Sequence, residues 1–247
     1  MAIIPYTHEG FDAHLPLLII GAGACGLVAA LAAQKAGVEL AVLERDSLPR
    51  GSTAMSSGFI PAANTRFQHE LGVTDSAEAM AEDIQKKNGF EADPAIVELL
   101  ASQSGPTIEW LADQHGAPFE LVEGFLYPGH RHLRMHATPR RTGEELMGAL
   151  LNAAESVGID ILAQARVVDL YVDATQRVRG ITLERPDGSR ETIGCDALIL
   201  ACNGYGGNVE LVERYLPTLK NALYYGHEGN QGDALLWGQA MGASTKD

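Results

Sequence analysis

The sequence predicts an α/β fold in which a parallel sheet carries helices on one face and a β-meander on the other. Two short apolar runs, residues 17–20 and 39–43, enclose a glycine-rich turn and an alanine- and leucine-rich segment. That order is typical of a strand, a helix and a second parallel strand. An amphipathic segment at residues 143–157 predicts a further helix. Strand-like segments between residues 159 and 193 predict the meander.

Composition and charge exclude several classes of protein. A chain of 247 residues can bury one large core. The formal net charge of −14 argues against binding to nucleic acid or to an anionic membrane. No apolar run reaches the roughly 20 residues that cross a bilayer, and the N-terminus lacks the pattern of a signal peptide. We therefore expect a cytoplasmic protein with no membrane or nucleic-acid partner.

The first apolar run leads into Gly21-Ala22-Gly23-Ala24-Cys25-Gly26, a G-x-G-x-x-G motif. The first glycine permits a tight turn, the second lets a pyrophosphate approach the backbone, and the third lets the helix pack closely on the strand. Amide groups at the helix N-terminus face the phosphates. Glu44 follows the second apolar run, where a carboxylate can bind the adenosine ribose. These features together predict a Rossmann-like domain that binds FAD or NAD(P).

The segment after Glu44 favours FAD over NAD. Residues 49–60 form a loop rich in small and hydroxyl side chains, which can pass beside a flavin and offer donors to its polar edge. In this loop and in the glycine motif the sequence resembles the fumarate reductase/succinate dehydrogenase flavoprotein family. The resemblance implies flavin contacts at Ser52, Thr53, Ser57 and Gly58. Ser52 stands where the membrane-bound relatives attach flavin through a histidine, so the resemblance implies non-covalent FAD.

Two later segments extend the resemblance. An apolar strand, residues 196–201, ends in Cys202-Asn203-Gly204, which matches a strand end that meets the cofactor in the family. Residues 227–234 resemble the family's H-x-G-x-x-G-D motif. The complete set of cofactor-binding residues expected from the motif and the resemblance is Gly21, Ala22, Gly23, Ala24, Cys25, Gly26, Glu44, Arg45, Ser52, Thr53, Ser57, Gly58, Val167, Ala201, Cys202, Asn203, Gly204 and Asp233.

His227 matches a histidine that binds a substrate carboxylate in fumarate reductases, and a loop histidine with no ligand is the alternative. The basic segment at residues 130–141 has three interpretations: a solvated surface, a site for an anion, or a metal site. The three cysteines, at positions 25, 195 and 202, fit neither a disulfide framework nor a metal-ligand spacing. We expect no bound metal.

Residues 75–115 predict helices, with Asp93 as an N-cap before Pro94. We interpret the apolar stripe of these helices, formed by Ile96, Leu99, Leu100, Ile108, Trp110 and Leu111, as core. The whole chain, residues 1–247, is expected to be an FAD-binding domain with a helical insertion at about residues 73–141. The resemblance implies a capping domain and a catalytic arginine beyond Asp247, so no catalytic residue is predicted in this sequence.

The leading functional hypothesis is an FAD-dependent oxidoreductase. The resemblance implies hydride transfer between flavin N5 and a C–C bond next to an electron-withdrawing group, on a small-molecule substrate such as a carboxylate or a ketosteroid. Two alternatives stay open: a truncated FAD-binding module without activity of its own, and an NAD-binding protein. A partner chain that supplies the missing half is also possible under the leading hypothesis.

Overall fold

The computed structural model describes residues 2–7 and 10–245. Contacts divide the chain into two units. The first unit comprises the chain up to Met55 together with Ala154–Thr245, and the second comprises Ser56–Ala153. Within the described ranges, no helix combines the length and the apolarity that spanning a membrane requires.

In chain order the described strands are β1 (Ala2–Pro5), β2 (Ala13–Ile20), β3 (Leu40–Leu43), β4 (Ile60–Pro61), β5 (Glu120–Leu121), β6 (Met135–Ala137), β7 (Asp160–Leu162), β8 (Arg166–Val172), β9 (Val178–Glu184) and β10 (Arg190–Leu200). The α-helices are α1 (Ala24–Lys35), α2 (Gly51–Ala54), α3 (Arg66–Glu70), α4 (Ala77–Lys87), α5 (Pro94–His115), α6 (Gly143–Ser156), α7 (Val209–Tyr215) and α8 (Asp233–Ala240), and a 3₁₀ turn spans Pro217–Leu219.

The first unit is built on one sheet with the strand order β1-β8-β9-β10-β2-β3-β7. The strands β10, β2, β3 and β7 pair in parallel, whereas β8, β9 and β10 pair antiparallel and form the meander. Residues 17–20 of β2 are all buried, as the continuous apolar run predicts. The α/β fold class with a large, partly parallel sheet and helices is therefore confirmed, whereas the meander strands are members of the same seven-stranded sheet rather than a layer on its other face.

Strand β10 differs from the sequence-based expectation. The sequence predicts two strands, at residues 191–193 and 196–201, and the structure has one strand from Arg190 to Leu200. The strand changes partners along its length, because its first half pairs with β9 and its second half, from Ile193, pairs with β2. Gly194 interrupts the apolar pattern because the ring of Phe11 packs directly over it. The meander is thus hydrogen-bonded into the parallel sheet through β10.

The second unit contains α4 and α5, and the predicted N-cap of α5 is confirmed. Asp93 accepts a hydrogen bond from the amide of Ala95 at 2.9 Å and Pro94 begins α5, while Ser76 caps α4. The interpretation of the apolar stripe as core is confirmed for Ile108 and Leu111, which are buried, and wrong for Ile96, Leu99 and Leu100, which are at least half exposed. The buried face of α5 is formed by Val97, Ala101, Gly105, Ile108 and Leu111.

Candidate functional site

The first unit contains a cavity of about 400 Å³ at the carboxyl ends of its parallel strands. The ends of β2, β3 and β10, the beginning of β8 and the first residue of α8 contribute to its wall. Ligands of open α/β sheets bind at this edge, because the loops that follow parallel strands meet there. The cavity is therefore the candidate functional site.

The glycine turn between β2 and α1 forms one wall of the cavity, and two of its glycines cannot be replaced. Gly21 has a φ of 106°, and a Cβ there would lie 2.5 Å from the carbonyl oxygen of Ala201. A Cβ at Gly26 would overlap the carbonyl oxygen of Gly21. Gly23 is the N-cap of α1 and offers no side chain to the amides of the first turn. The amide of Ala24 in this turn donates to Thr53 Oγ1, so binding of a ligand at this helix N-terminus depends on the other amides of the first turn.

Glu44 lies at the tip of β3, and its carboxylate faces the glycine turn. One oxygen accepts a hydrogen bond from the amide of Ala22, and the other accepts one from the amide of Asp46, each at 3.0 Å. The residue is 7% exposed and lines the cavity. Each carboxylate oxygen can accept a further hydrogen bond, so Glu44 is placed to bind a hydroxyl group in the cavity.

Helix α2 carries Ser52 and Thr53, two of the three hydroxyl side chains that are predicted at the flavin. The Oγ1 atom of Thr53 accepts a hydrogen bond from the amide of Ala24 at 3.2 Å, and Ser52 also lines the cavity. Ser57 and Gly58 belong to the second unit, where the amide of Gly58 donates to Ser56 Oγ at 3.0 Å.

Asp233 begins α8 and lines the cavity. Burial raises the pKa of its carboxyl group, while the charges of Arg45 and Arg166 act in the opposite direction. Burial also raises the pKa of the neighbouring Cys202 thiol to about 11, and the Asp233 charge adds to that shift. The Asp233 carboxylate is therefore a hydrogen-bond acceptor directed at the cavity in a partly desolvated setting.

His227 lies in the same cavity rather than at a separate position. Its Nε2 atom lies 2.9 Å from Asp46 Oδ2, and its Nδ1 atom accepts a hydrogen bond from the amide of Gly229 at 3.0 Å. Both ring nitrogens are thus engaged within the chain. The substrate-carboxylate role stays a prediction, and in this arrangement it would require the imidazole to leave Asp46.

The cavity brings together most of the residues that the sequence predicts. Those that line it are Gly21, Gly23, Ala24, Cys25, Glu44, Arg45, Ser52, Thr53, Val167, Ala201, Cys202, Asn203, His227 and Asp233. Ala22 and Gly26 are buried beneath the turn. Sequence reasoning missed Asp46, Arg166, Gly229 and Asn230, which also line the cavity. Asp46 and Arg166 directly neighbour predicted residues, whereas no sequence signal distinguished Asn230 from an ordinary loop residue.

The basic segment has a structural role in the second unit that none of the three interpretations anticipated. The buried Arg134 guanidinium lies 2.6 Å from Asp75 and 2.7 Å from Asp83. Arg131 pairs with Asp83 at 2.8 Å, and the buried His136 lies 2.8 Å from Thr65 Oγ1. Among the described residues, no group of three or more His, Cys, Asp or Glu side chains has the geometry of a metal site.

Comparisons with known proteins agree with the geometry of the cavity. The family model of the FAD binding domain matches residues 17–247. A probable fumarate reductase of Shewanella frigidimarina is 31% identical over 94% of this chain and 39% of its own length. A urocanate reductase of Eggerthella lenta is 28% identical over 99% of this chain and 41% of its own length. The chain thus spans about two fifths of the length of these relatives.

Solved structures of similar flavoproteins superpose on nearly the whole chain. An open conformation of a flavocytochrome c3 fumarate reductase superposes with a TM-score of 0.90 at 31% identity, over 96% of this chain and 42% of that one. A 3-ketosteroid-Δ4-(5α)-dehydrogenase from Rhodococcus jostii superposes with a TM-score of 0.88 at 27% identity, over 98% of this chain and 57% of that one. The chain therefore belongs to the FAD-binding domain family, among the fumarate reductase-like flavoproteins, and its cofactor is FAD.

Proposed function

We propose that this chain is the FAD-binding part of an oxidoreductase that transfers hydride between flavin N5 and a C–C bond next to an electron-withdrawing group. One observation carries the proposal: the N-terminus of α1, the carboxylate of Glu44 and the carboxylate of Asp233 line one cavity. This set supplies donors for a diphosphate and acceptors for hydroxyl groups. FAD carries both kinds of group.

The chemistry of the residues that line the cavity suits FAD. The first-turn amides of α1 other than that of Ala24 would hold the pyrophosphate, because Gly23 offers them no side-chain acceptor, whereas the Ala24 amide donates to Thr53 Oγ1. Glu44 would accept hydrogen bonds from the adenosine ribose. Asp233 would accept hydrogen bonds from further hydroxyl groups of the cofactor. Bound FAD would supply the hydride chemistry, and the chain would hold and orient the cofactor and set the charges around it.

Non-covalent attachment is part of the proposal. Ser52 occupies the position that corresponds to the flavin-linking histidine of membrane-bound relatives, and a serine hydroxyl is not such a link. In addition, Ser52 Oγ accepts hydrogen bonds from the amide of His227 and from Asn230 Nδ2. Acid precipitation of the holoprotein should release the flavin into the supernatant; flavin in the pellet would show a covalent bond.

The substrate class is a small molecule. The names of the relatives point to fumarate, urocanate and ketosteroids, each of which has a C–C bond beside a carboxylate or a ketone. A carboxylate-binding role for His227 belongs to this proposal. A cytoplasmic location and a partner chain that carries the catalytic residues are also proposed.

A binding module without turnover of its own is the second candidate, since no catalytic residue is predicted in this chain. Anaerobic assays with FAD-loaded protein, a reduced viologen dye and fumarate, urocanate or a ketosteroid distinguish the two. Dye oxidation that depends on one of these substrates supports the oxidoreductase. Bound FAD without dye oxidation supports the module, and a protein that binds NAD but not FAD contradicts both.

A further inference from the structure

Residues 226–232, which we call the strap, run along the dinucleotide cavity and contribute His227, Gly229 and Asn230 to its wall. The strap is tied to the segment that follows β3. Arg45 Nη1 donates to the carbonyl oxygen of Gly229 at 2.9 Å, and His227 Nε2 lies 2.9 Å from Asp46 Oδ2. One edge of the strap is thus fixed beside the ribose-binding carboxylate Glu44.

The opposite edge of the strap is tied to the segment that follows β10. The amide of Gly207 donates to the carbonyl oxygen of Asn230 at 2.9 Å, and the amide of Gly232 donates to Gly204 at 3.0 Å. Asn208 Nδ2 donates to the carbonyl oxygen of Gln231 at 3.0 Å. The strap therefore bridges the segments after β3 and β10, which are two of the segments that the sequence predicts at the cofactor.

Asn230 is the central residue of this bridge. Its side chain is almost completely buried, and Nδ2 donates both to Ser52 Oγ at 2.9 Å and to the hydroxyl of Tyr224. The ring of Tyr224 lies against Gly206 and Gly226, where a Cβ on either glycine would overlap it. The side-chain amide of Asn230 thus joins the strap to Ser52 in α2 and, through the ring of Tyr224, to Gly206 in the segment after β10.

The hydrogen bonds of His227 define its tautomer. Nδ1 accepts from the amide of Gly229, so it carries no proton, and the proton on Nε2 is donated to Asp46. A neutral imidazole therefore makes both bonds, and Asp46 serves as an oxygen acceptor.

We propose that Asn230 and the His227–Asp46 pair are positioning residues that clamp the strap along the cavity and slow the release of FAD. This inference rests on the proposed function, because it assumes that FAD occupies this cavity. A wall that must open before the ligand leaves acts mainly on the dissociation rate. Loss of one or two neutral hydrogen bonds should accelerate release about 5- to 20-fold.

The test compares FAD release from the FAD-loaded chain with the variants Asn230→Ala, Asp46→Ala and Asp46→Asn. Release is followed after dilution of the loaded chain into an excess of an FAD-specific apo-oxidase, which captures each released FAD, and is measured as the return of oxidase activity. Lys220→Ala is the matched control, because Lys220 makes only an exposed pair with Glu213 at 3.3 Å. The thermal midpoint of each apoprotein is measured in parallel.

We expect faster release from Asn230→Ala and Asp46→Ala, with an unchanged rate from Lys220→Ala. Asp46→Asn should restore most of the slow release, because an asparagine oxygen still accepts from a neutral imidazole. The proposed clamp would be overturned if both alanine variants released FAD at the wild-type rate. It would also be overturned if these substitutions lowered the thermal midpoint of the apoprotein but left the rate of FAD release unchanged. Asp46→Asn release as fast as that of Asp46→Ala would also overturn it. If the wild-type chain bound no FAD, the proposed function itself would fail.

Discussion

The Oε2 atom of Glu44 accepts a hydrogen bond from the amide of Ala22 at 3.0 Å, which ties the tip of β3 to the glycine turn after β2. The two features that the sequence predicts for diphosphate and ribose binding are therefore held together by one bond. The contact fixes the carboxylate at the cavity wall before a ligand arrives. Such preorganisation lowers the ordering cost of binding.

Replacing Glu44 should weaken FAD binding without preventing it. In Glu44→Gln the amide loses the charge that strengthens hydrogen bonds from ribose hydroxyls, and one of its two terminal atoms becomes a donor. We expect the Kd for FAD to rise about tenfold, since a bond to a charged group contributes about 1.5–3 kcal/mol. Fluorescence quenching titrations measure this change. Glu39→Gln is the control, since Glu39 is exposed; equal Kd values for Glu44→Gln and wild type would contradict the ribose role.

Gly26→Ala and Gly148→Ala should have opposite effects on stability. At Gly26 a Cβ would overlap the carbonyl oxygen of Gly21, so α1 must move away from β2. Gly148 lies within α6 and a Cβ there meets nothing within 4 Å, so alanine should stabilise the helix by about 0.5–1 kcal/mol. Urea unfolding measures both variants. A Gly26→Ala protein with wild-type stability and FAD affinity would show that the close helix packing is not required.

Asp233→Asn should stabilise the apoprotein and weaken FAD binding. The raised pKa of Asp233 means that burial opposes its charged form, so stability is greatest when the group is protonated and is lost as pH rises through the raised pKa. The variant should therefore have the higher thermal midpoint at pH 7. The difference should vanish below about pH 4, the ordinary range of an aspartate. A lower midpoint for the variant at pH 7 would contradict this account.

The buried Arg134 should make the second unit sensitive to acid. Burial raises the pKa of Asp83, but hydrogen bonds from the Arg131 amide and from the Arg134 and Arg131 side chains outweigh that effect and lower it to about 2. A lowered folded-state pKa gives stability that is present above the ordinary aspartate pKa and is lost as pH falls from about 4 to about 2.

Asp83→Asn should flatten the pH dependence of unfolding in that window. Arg134→Ala should cost about 3–5 kcal/mol at pH 7, because Asp75 would keep a buried charge without its arginine partner and Asp83 would keep only Arg131. Circular dichroism during acid titration measures the first effect, and urea unfolding at pH 7 measures the second. Arg190→Ala is the control, because its pair with Glu184 is exposed.

Periodicity and glycine placement predict the sheet and the glycine turn well, because residues 17–20 and 40–43 are buried on both faces and the turn has local steric demands. The same reasoning failed for the exposed face of α5, because residues 96–100 are mostly apolar and their spacing does not distinguish which side meets α4. It also missed β1, a short strand that ends in Pro5 and is specified by pairing with the distant β8.

Residues that act through tertiary contacts were the hardest to predict at the site. Asn230 and Asp46 carry no local pattern, and their partners, Ser52 and His227, are 178 and 181 residues away in the sequence. His227 itself was identified from a resemblance, yet its neighbours in the structure could not be inferred from spacing. Long-range hydrogen bonds of this kind depend on the completed sheet.

Titration of the purified apo chain with FAD tests the central claim most directly, with NAD as the competing ligand and quenching of flavin fluorescence as the signal. The account predicts saturable binding of one FAD per chain that excess NAD does not displace and that Glu44→Gln weakens. No saturable binding of FAD, or binding that is unaffected by both Glu44→Gln and Asp233→Asn, would contradict it.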